Sequence, residues 1–391
     1  MKKFLIISVI LLVCGAVSAQ DFSAVLQQIE QNNTSLKALR EQVDADKMAS
    51  RTSLAPADPE VEVNYLWGNA VAEGNRFDLN AMQQFDFPTA YYYRKKIAEG
   101  RCSEAEWQYA IGRRQLLSEA ESYCVEWVYR NAMQSELNRQ FRQAEHLYEA
   151  YQTKFDKGEC GILERNKAQL NVLNIRHLCE RNELETNALR MELARLNGGQ
   201  PIEVADSTFA AVALPLDFET WYAEAEAGNA VLHSLSEQSE NASWEVKLGR
   251  SLWLPKLAVG YQSERIGGSV LQGIGAGISI PLWENSGKVR AAQARQVALQ
   301  AGYADAQAQF REQMRIAWQK VVTMQCNLEQ YRSEWQTVAD FNLLTLALEG
   351  GQITLIEFLM EQSVYQTAFT QFLEAERDMH KAYVELMQWT G

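Results

Sequence analysis

Two periods of hydrophobic residues alternate along this chain. Around Gly273 the period is two. Ile274, Ala276, Ile278 and Ile280 fall on one face, and Gly275, Gly277 and Ser279 on the other. That pattern predicts a strand with one oily and one small or polar side. Pro281 has no N–H to give a ladder, so pairing ends there. Past Asn285-Ser286-Gly287 the period becomes helical. The same change occurs earlier in the chain. Val61, Val63, Tyr65 and Trp67 alternate with Glu62, Asn64 and Leu66. After a loop from Gly68 to Arg76, the residues Phe77, Leu79, Ala81, Phe85 and Phe87 alternate with Asp78, Asn80, Met82, Gln84 and Asp86, and Pro88 closes the run. Leu257, Val259 and Tyr261 share a face further on, followed by a loop at Ile266–Ser269. Two β-hairpins are therefore predicted, over 60–87 and 256–280. The strand before Pro88 is close to the roughly 9–11 residues that a tilted strand needs to cross a bilayer.

Helical periods fill the rest. Phe22, Val25, Ile29, Leu36 and Leu39 predict a helix over Asp21–Leu54, with a possible break at Asn33-Thr34 and a stop at Pro56 and Pro59. A long helix is predicted over 89–157. Its Leu137, Phe141, Ala144, Tyr148, Tyr151 and Phe155 step by four and three, which is a heptad seam. Such a helix is on the order of 100 Å long. A turn at Asp156–Gly161 precedes a return helix over 162–197, capped by Asn197-Gly198-Gly199. Gln200–Asp217 is irregular, with room for a short strand. Trp221–Leu252 is read as one helix, ended by Trp253-Leu254-Pro255. A second long helix is predicted over 286–349. Phe310, Met314, Ala317, Val321, Met324, Leu328, Tyr331, Trp335 and Val338 form its seam. Gly350-Gly351 breaks it, and a return helix covers 353–389.

The two halves repeat. At a constant offset of 193, Pro88 meets Pro281, Lys95 meets Lys288, Gly158 meets Gly351, Glu164 meets Glu357 and Gln169 meets Gln362. These are caps, turns and breakers, the residues that fix element ends. The expected organisation is a first repeat over 20–199, an equatorial linker over 200–220 and a second repeat over 221–391.

Composition narrows the class. Lys2 and Lys3 precede an apolar run from Phe4 to Val13, and Val17-Ser18-Ala19 suits cleavage, so residues 1–19 are read as a secretory signal peptide. Cys14 within it follows Val13 rather than the small residue that lipidation needs. Beyond it no stretch reaches the roughly 18 apolar residues of a spanning helix. The net charge of −13 argues against nucleic acid. Cys102, Cys124, Cys160, Cys179 and Cys326 are odd in number and lack a C-x-x-C, so they read as apolar fillers, neither disulfides nor a zinc site. His146, His177, His233 and His380 form no metal set by spacing, and no nucleophile, zinc-protease or phosphate-loop motif occurs. The chain is not read as an enzyme, and no cofactor is expected.

Four strands do not close a barrel. Membrane barrels have about eight or more, and lipid does not tolerate an open sheet edge. Other copies of the chain must complete the sheet, with the oily faces outward. Trp253, Trp283 and Tyr91, Tyr92 and Tyr93 lie at the helix-to-strand junctions, as an aromatic belt would. A soluble sheet packed on a helix is the bland alternative.

At this point the sequence resembles the TolC family of outer-membrane efflux channels. The resemblance covers essentially the whole chain after the signal. It rests on the duplicated plan, on the junction G-I-S-I-P-L-W-E-N-S-G-K-V-R-A-A-Q-A-R, and on the turn G-G-Q-I-T-L-I-E-F-L with its echo K-G-E-C-G-I-L-E-R. It implies a mainly α chain with a β-barrel part: long coiled-coil helical hairpins plus four membrane strands per protomer. It further implies a homotrimer in the cell outer membrane, with a twelve-stranded barrel and a long periplasmic tunnel. The turns at Gly158, Gly161, Gly350 and Gly351 would then be the tips that meet a periplasmic adaptor (a membrane-fusion protein) and an inner-membrane RND-type pump. Such a channel is a passive export duct for small molecules or metal cations. The family's acidic tip residue matches Glu357, and Glu164 in the first repeat, as gate candidates. A second acidic residue one turn further on is replaced here by Met360, with Glu361 beside it. The other class kept open is a soluble periplasmic coiled-coil adaptor or scaffold. Against it, no lipoyl-like β module stands between the arms of one helical hairpin.

Overall fold

A computed structural model describes residues 22–68, 74–214, 217–338 and 341–389, with backbone alone at 336–338, 341 and 342. The expected signal peptide and part of the first hairpin loop lie outside the described residues. The elements are α1 (Ser23–Asn32), α2 (Thr34–Thr52), β1 (Glu60–Leu66), β2 (Arg76–Phe85), α3 (Pro88–Asp156), α4 (Ile162–Leu196), α5 (Phe218–Gly228), α6 (Ala230–Ser251), β3 (Lys256–Ile266), β4 (Ser269–Ser279), α7 (Lys288–Val338), α8 (Phe341–Glu349) and α9 (Leu355–Met387).

Breaks fall where a side chain competes for the backbone. Asn33 turns extended between α1 and α2, and its buried Nδ2 donates to the carbonyl of Leu196 at 2.7 Å. The segment read as one helix over 221–252 is cut at Asn229. The Asn229 Oδ1 accepts from the Leu232 N–H at 2.9 Å and so starts α6 afresh. The helix read over 286–349 starts at Lys288 and is described as α7 to Val338 and as α8 from Phe341. Helix α3 is unbroken for 69 residues. Its internal Gly100 is needed where Asn241 presses in, since a Cβ there would sit 2.0 Å from Asn241 Oδ1.

The chain divides into two compact units that cut across the sequence halves. Of the described residues, one comprises those within 22–33, 117–221 and 317–388; the other comprises those within 34–116 and 222–316, with 389. Corresponding segments of the two halves pack together in each.

In the first unit the heptad seam of α3 meets α4 and α9. Tyr129, Met133 and Leu137 pack with Leu373, Leu178, Phe369 and Phe372. Ala144 packs with Val172 and Ile175. Tyr151 packs with Ala168 and Leu355. On α7, Val321 and Leu328 are buried and Tyr331 stacks on Phe372. Residues 200–214 of the linker form no strand, although the sequence leaves room for a short one. Its carbonyls are taken by a side chain instead: Asn131 Nδ2 donates to Val204 O and Asp206 O, each at 2.9 Å.

In the second unit the two hairpins form one antiparallel sheet, ordered β1-β2-β3-β4. The repeats join at β2–β3, where Ala81 faces Tyr261.

Candidate functional site

The sheet is the first part of the site. Its register sorts residues into two faces. One row across all four strands is Val61, Ala81, Tyr261 and Ile274. Next to it on the same face run Val259 with Ala276, and Phe85 with Leu257 and Ile278. The opposite face carries Glu62, Asn80, Gln262 and Gly273 in one row, and Asn64, Asp78, Glu264 and Leu271 in the next. Arg76 on that face bonds Asp78 at 2.9 Å and approaches Glu264 at 3.2 Å. The oily face is uncovered: Val61, Val63, Val259, Ile274 and Ile278 are all exposed. Covering one such side chain is worth on the order of 1.5–3 kcal/mol, so this face calls for an apolar medium. Strands β2, β3 and β4 have 10, 11 and 11 residues, the length a tilted membrane strand requires.

Between sheet and helices lie the two junctions, which are not equivalent. Pro88 opens α3 directly, at a position where its missing N–H costs nothing. Pro281 instead is buried in a bend, and α7 starts only at Lys288. The intervening turn is held by Asn285, a residue that sequence reasoning passed over except as part of a polar turn. Asn285 is buried and donates from Nδ2 to the Leu252 carbonyl at the end of α6, while its Oδ1 accepts from Lys288 Nζ at 3.0 Å. The aromatic candidates do separate things. The Tyr91 hydroxyl accepts from the Asp86 N–H at 3.2 Å, and Arg94 stands over its ring while pairing with Asp86. Tyr92 and Tyr93 pack edge-on with each other and both contact Trp244, which Lys247 covers at 3.6 Å. Trp244 was not among the candidates; the adjacent tyrosine pair was its only signal. Trp253 and Trp283 lie in the turns after α6 and β4, Trp283 being strongly exposed.

The tip turns are built alike. After α3, Gly158 is left-handed at φ +75°, and the Glu159 N–H bonds back to Lys154 O at 2.8 Å. After α8, Gly351 is left-handed at φ +69°, and the Gln352 N–H bonds back to Ala347 O at 2.9 Å. Both are glycine-closed helix ends. Gly161 and Gly350 carry no positive φ. Gly161 is the N-cap of α4, as Thr354 is of α9.

Glu164 and Glu357 follow those caps by three residues, and each carboxylate turns back on its own helix start. Glu164 Oε2 accepts from the Gly161 N–H at 2.9 Å. Glu357 Oε2 accepts from the Thr354 N–H at 2.7 Å and from its hydroxyl at 2.9 Å, and the Glu357 N–H returns a bond to that hydroxyl. This is a capping box. The Thr354 N–H, and then its hydroxyl, hold the Glu357 carboxyl below the ordinary glutamate range. Both carboxylates are exposed.

Other chemistry is sparse. Among the described residues no cluster of His, Cys, Asp or Glu has the makings of a metal site. The cysteines among the described residues are free, and burial pushes the Cys124 thiol up to about 12. Among the described residues no helix is long and apolar enough to cross a membrane.

Known structures share this arrangement. The CmeC outer membrane channel of Campylobacter jejuni matches with a TM-score of 0.75 at 18% identity, over 96% of this chain and 86% of that one. The outer membrane protein VceC of Vibrio cholerae matches with a TM-score of 0.76 at 14% identity, over 95% and 96%. This is the outer-membrane channel fold. The open state of the Neisseria gonorrhoeae MtrE outer membrane channel gives 0.73 at 14% identity, over 94% and 88%. No protein-family model matches the sequence, and no curated protein does. The fold class expected from the TolC resemblance, long helical hairpins with four strands, is therefore the one observed.

Proposed function

We propose that this chain is the outer-membrane channel of a tripartite efflux system, a passive duct with no enzymatic step. The carrying observation is the open sheet: one face oily, one polar, and two free edges. Its strands alternate in direction, so β4 of one copy would lie antiparallel to β1 of the next. Repetition then closes a barrel whose oily side meets lipid and whose polar side meets water. Three copies give twelve strands, as the family resemblance implies. The helical hairpins would extend into the periplasm, and their tip turns would meet a periplasmic adaptor and an RND-type inner-membrane pump that supplies the energy. Small molecules or metal cations are the cargo class. The capped Glu164 and Glu357 would stand at the tip as two acidic rings in a trimer.

A soluble adaptor is disfavoured by the uncovered oily face, which would cost water contact over four strands. Fractionation tests the reading. The chain is expected in the outer membrane, extracted only by detergent, with the mass of a trimer, and it should form conducting pores in planar bilayers. Recovery from the soluble periplasm without detergent sinks the proposal.

A further inference from the structure

Three helices of the second unit, α3, α6 and α7, meet around a cavity of about 120 Å³. Its polar lining is Arg101 and Glu104 from α3, Gln238, Asn241 and Glu245 from α6, and Arg295 from α7. Asn241 belongs to the buried row of α6 with Ala242, Val246 and Gly249, and it sits against the space that Gly100 leaves open on α3. It is 7% exposed, and its Nδ2 has no hydrogen-bond partner. A buried amide left unpaired costs free energy, so the site calls for an acceptor that the chain itself does not supply.

The charges leave a remainder as well. Arg101 pairs with Glu245 at 3.6 Å. Glu104 Oε1 accepts from Gln238 Nε2 at 2.7 Å, a neutral donor that leaves the carboxylate charge uncompensated. Arg295 has no ion pair or hydrogen bond among the described residues, so no salt bridge joins it to Glu104. One carboxylate, one guanidinium and one amide thus line a shared space without a charge partner or an acceptor. Water satisfies the amide but neutralises neither charge. A lone oxyanion answers Arg295 and Asn241 and is repelled by Glu104, while a lone cation answers Glu104 alone. A molecule that carries both charges close together answers all three. Ala242 and Leu299 complete the wall, so the space left beside the charges is small and apolar.

We propose that this cavity is a binding site for a compact zwitterion, a small α-amino acid, which carries its ammonium and its carboxylate on one carbon. The ammonium donates to Glu104, and the carboxylate accepts from Arg295 and from the Asn241 amide. Because the lining comes from three helices, the occupant ties α6 to both α3 and α7. The site is complete within one chain and does not depend on the export reading.

The test is equilibrium dialysis of the full chain, in a non-ionic detergent, against radiolabelled glycine. Saturable binding of one glycine per chain is expected. L-alanine should displace it, and acetate or methylammonium, each with only one of the two charges, should do so about tenfold less well or worse. Arg295→Gln and Glu104→Gln should each weaken binding about tenfold at unchanged helix content. Asn241→Leu keeps the shape without the donor and should weaken it too. Arg290→Gln removes an exposed charge outside the cavity and should leave it unchanged. If no saturable binding is seen, the cavity holds water alone and the proposal falls. Acetate displacing glycine as well as L-alanine does overturns it in favour of an anion site. Unchanged affinity in both charge variants puts the glycine elsewhere and overturns it equally. None of these failures touches the export reading, which fractionation tests separately.

Discussion

The side-chain amide of Asn33 reaches the carbonyl of Leu196 across 163 residues of sequence, at 2.7 Å and out of contact with water. One bond thus ends α1 and satisfies the last turn of α4, whose final carbonyls have no partner within their own helix. The neighbouring Asn32 Nδ2 donates to Asn197 Oδ1 at 3.0 Å, so the contact is a small polar lock. Replacing Asn33 by Leu leaves the Leu196 carbonyl buried and unpaired. We expect a loss of about 1–3 kcal/mol, read as a fall in the midpoint of thermal unfolding in detergent. Asn33→Asp should be as harmful, because it removes the donor.

The two tip turns differ in one testable respect. Gly351 is left-handed with nothing within 4 Å of a built Cβ. Gly351→Ala should therefore cost about 1–2 kcal/mol through backbone strain alone. Gly161 is an N-cap without a side chain, beside a Glu164 already in capping position. Gly161→Thr would reproduce the Thr354–Glu357 pair of the other turn. It should gain roughly a few tenths of a kcal/mol, seen as slower hydrogen exchange in the first turn of α4.

Acid should weaken the fold through His380. It is buried and stacked on Phe209 with ring centres 4.4 Å apart. Burial first, and the nearby Arg332 second, push it from 6.5 down to about 4. The folded value lies below the unfolded one, so the unfolded chain takes up the proton first. Stability is therefore intact above about pH 6.5 and falls as the pH drops toward 4, by roughly 3 kcal/mol in all, levelling below that. His380→Phe keeps the stack without the proton. Its melting temperature should lose this part of the acid slope, and an unchanged slope would show that other groups carry it.

Much of this was legible as period. Pro88 and the alternation before it mark β2, and the Gly158–Gly351 correspondence locates both tips. Asn33 could be flagged as a break because its neighbours interrupt a helical pattern. Asn229 was missed, since a lone Asn after Gly228 is compatible with a continuous helix until its carbonyl finds the Leu232 N–H. Asn285 and Trp244 were missed for a different reason. Their roles depend on partners far along the chain, Leu252 and the Tyr92–Tyr93 pair, and no local period encodes such a contact. The compact units cut across the repeats for the same cause. Repetition shows which segments correspond, while packing decides which lie side by side.

Charge and structure can be separated at Glu357. In a capping box a glutamine accepts from the N-cap N–H much as a glutamate does. Glu357→Gln and Glu164→Gln should therefore leave the tip turns folded while removing the negative charge. The Glu357 cap itself should be pH-dependent. Its folded pKa lies below the ordinary glutamate value, so its contribution is present above that ordinary value and is lost as the pH falls through the folded one. Hydrogen exchange at the start of α9 should follow that course in the wild type and stay flat in Glu357→Gln. Single-channel recording then isolates the electrostatic role. If the carboxylates ring the mouth of a trimer, the double variant should show weaker block by divalent cations and reduced preference for cations over anions. Unchanged block, with the turns intact, would leave Glu164 and Glu357 as helix caps and nothing more.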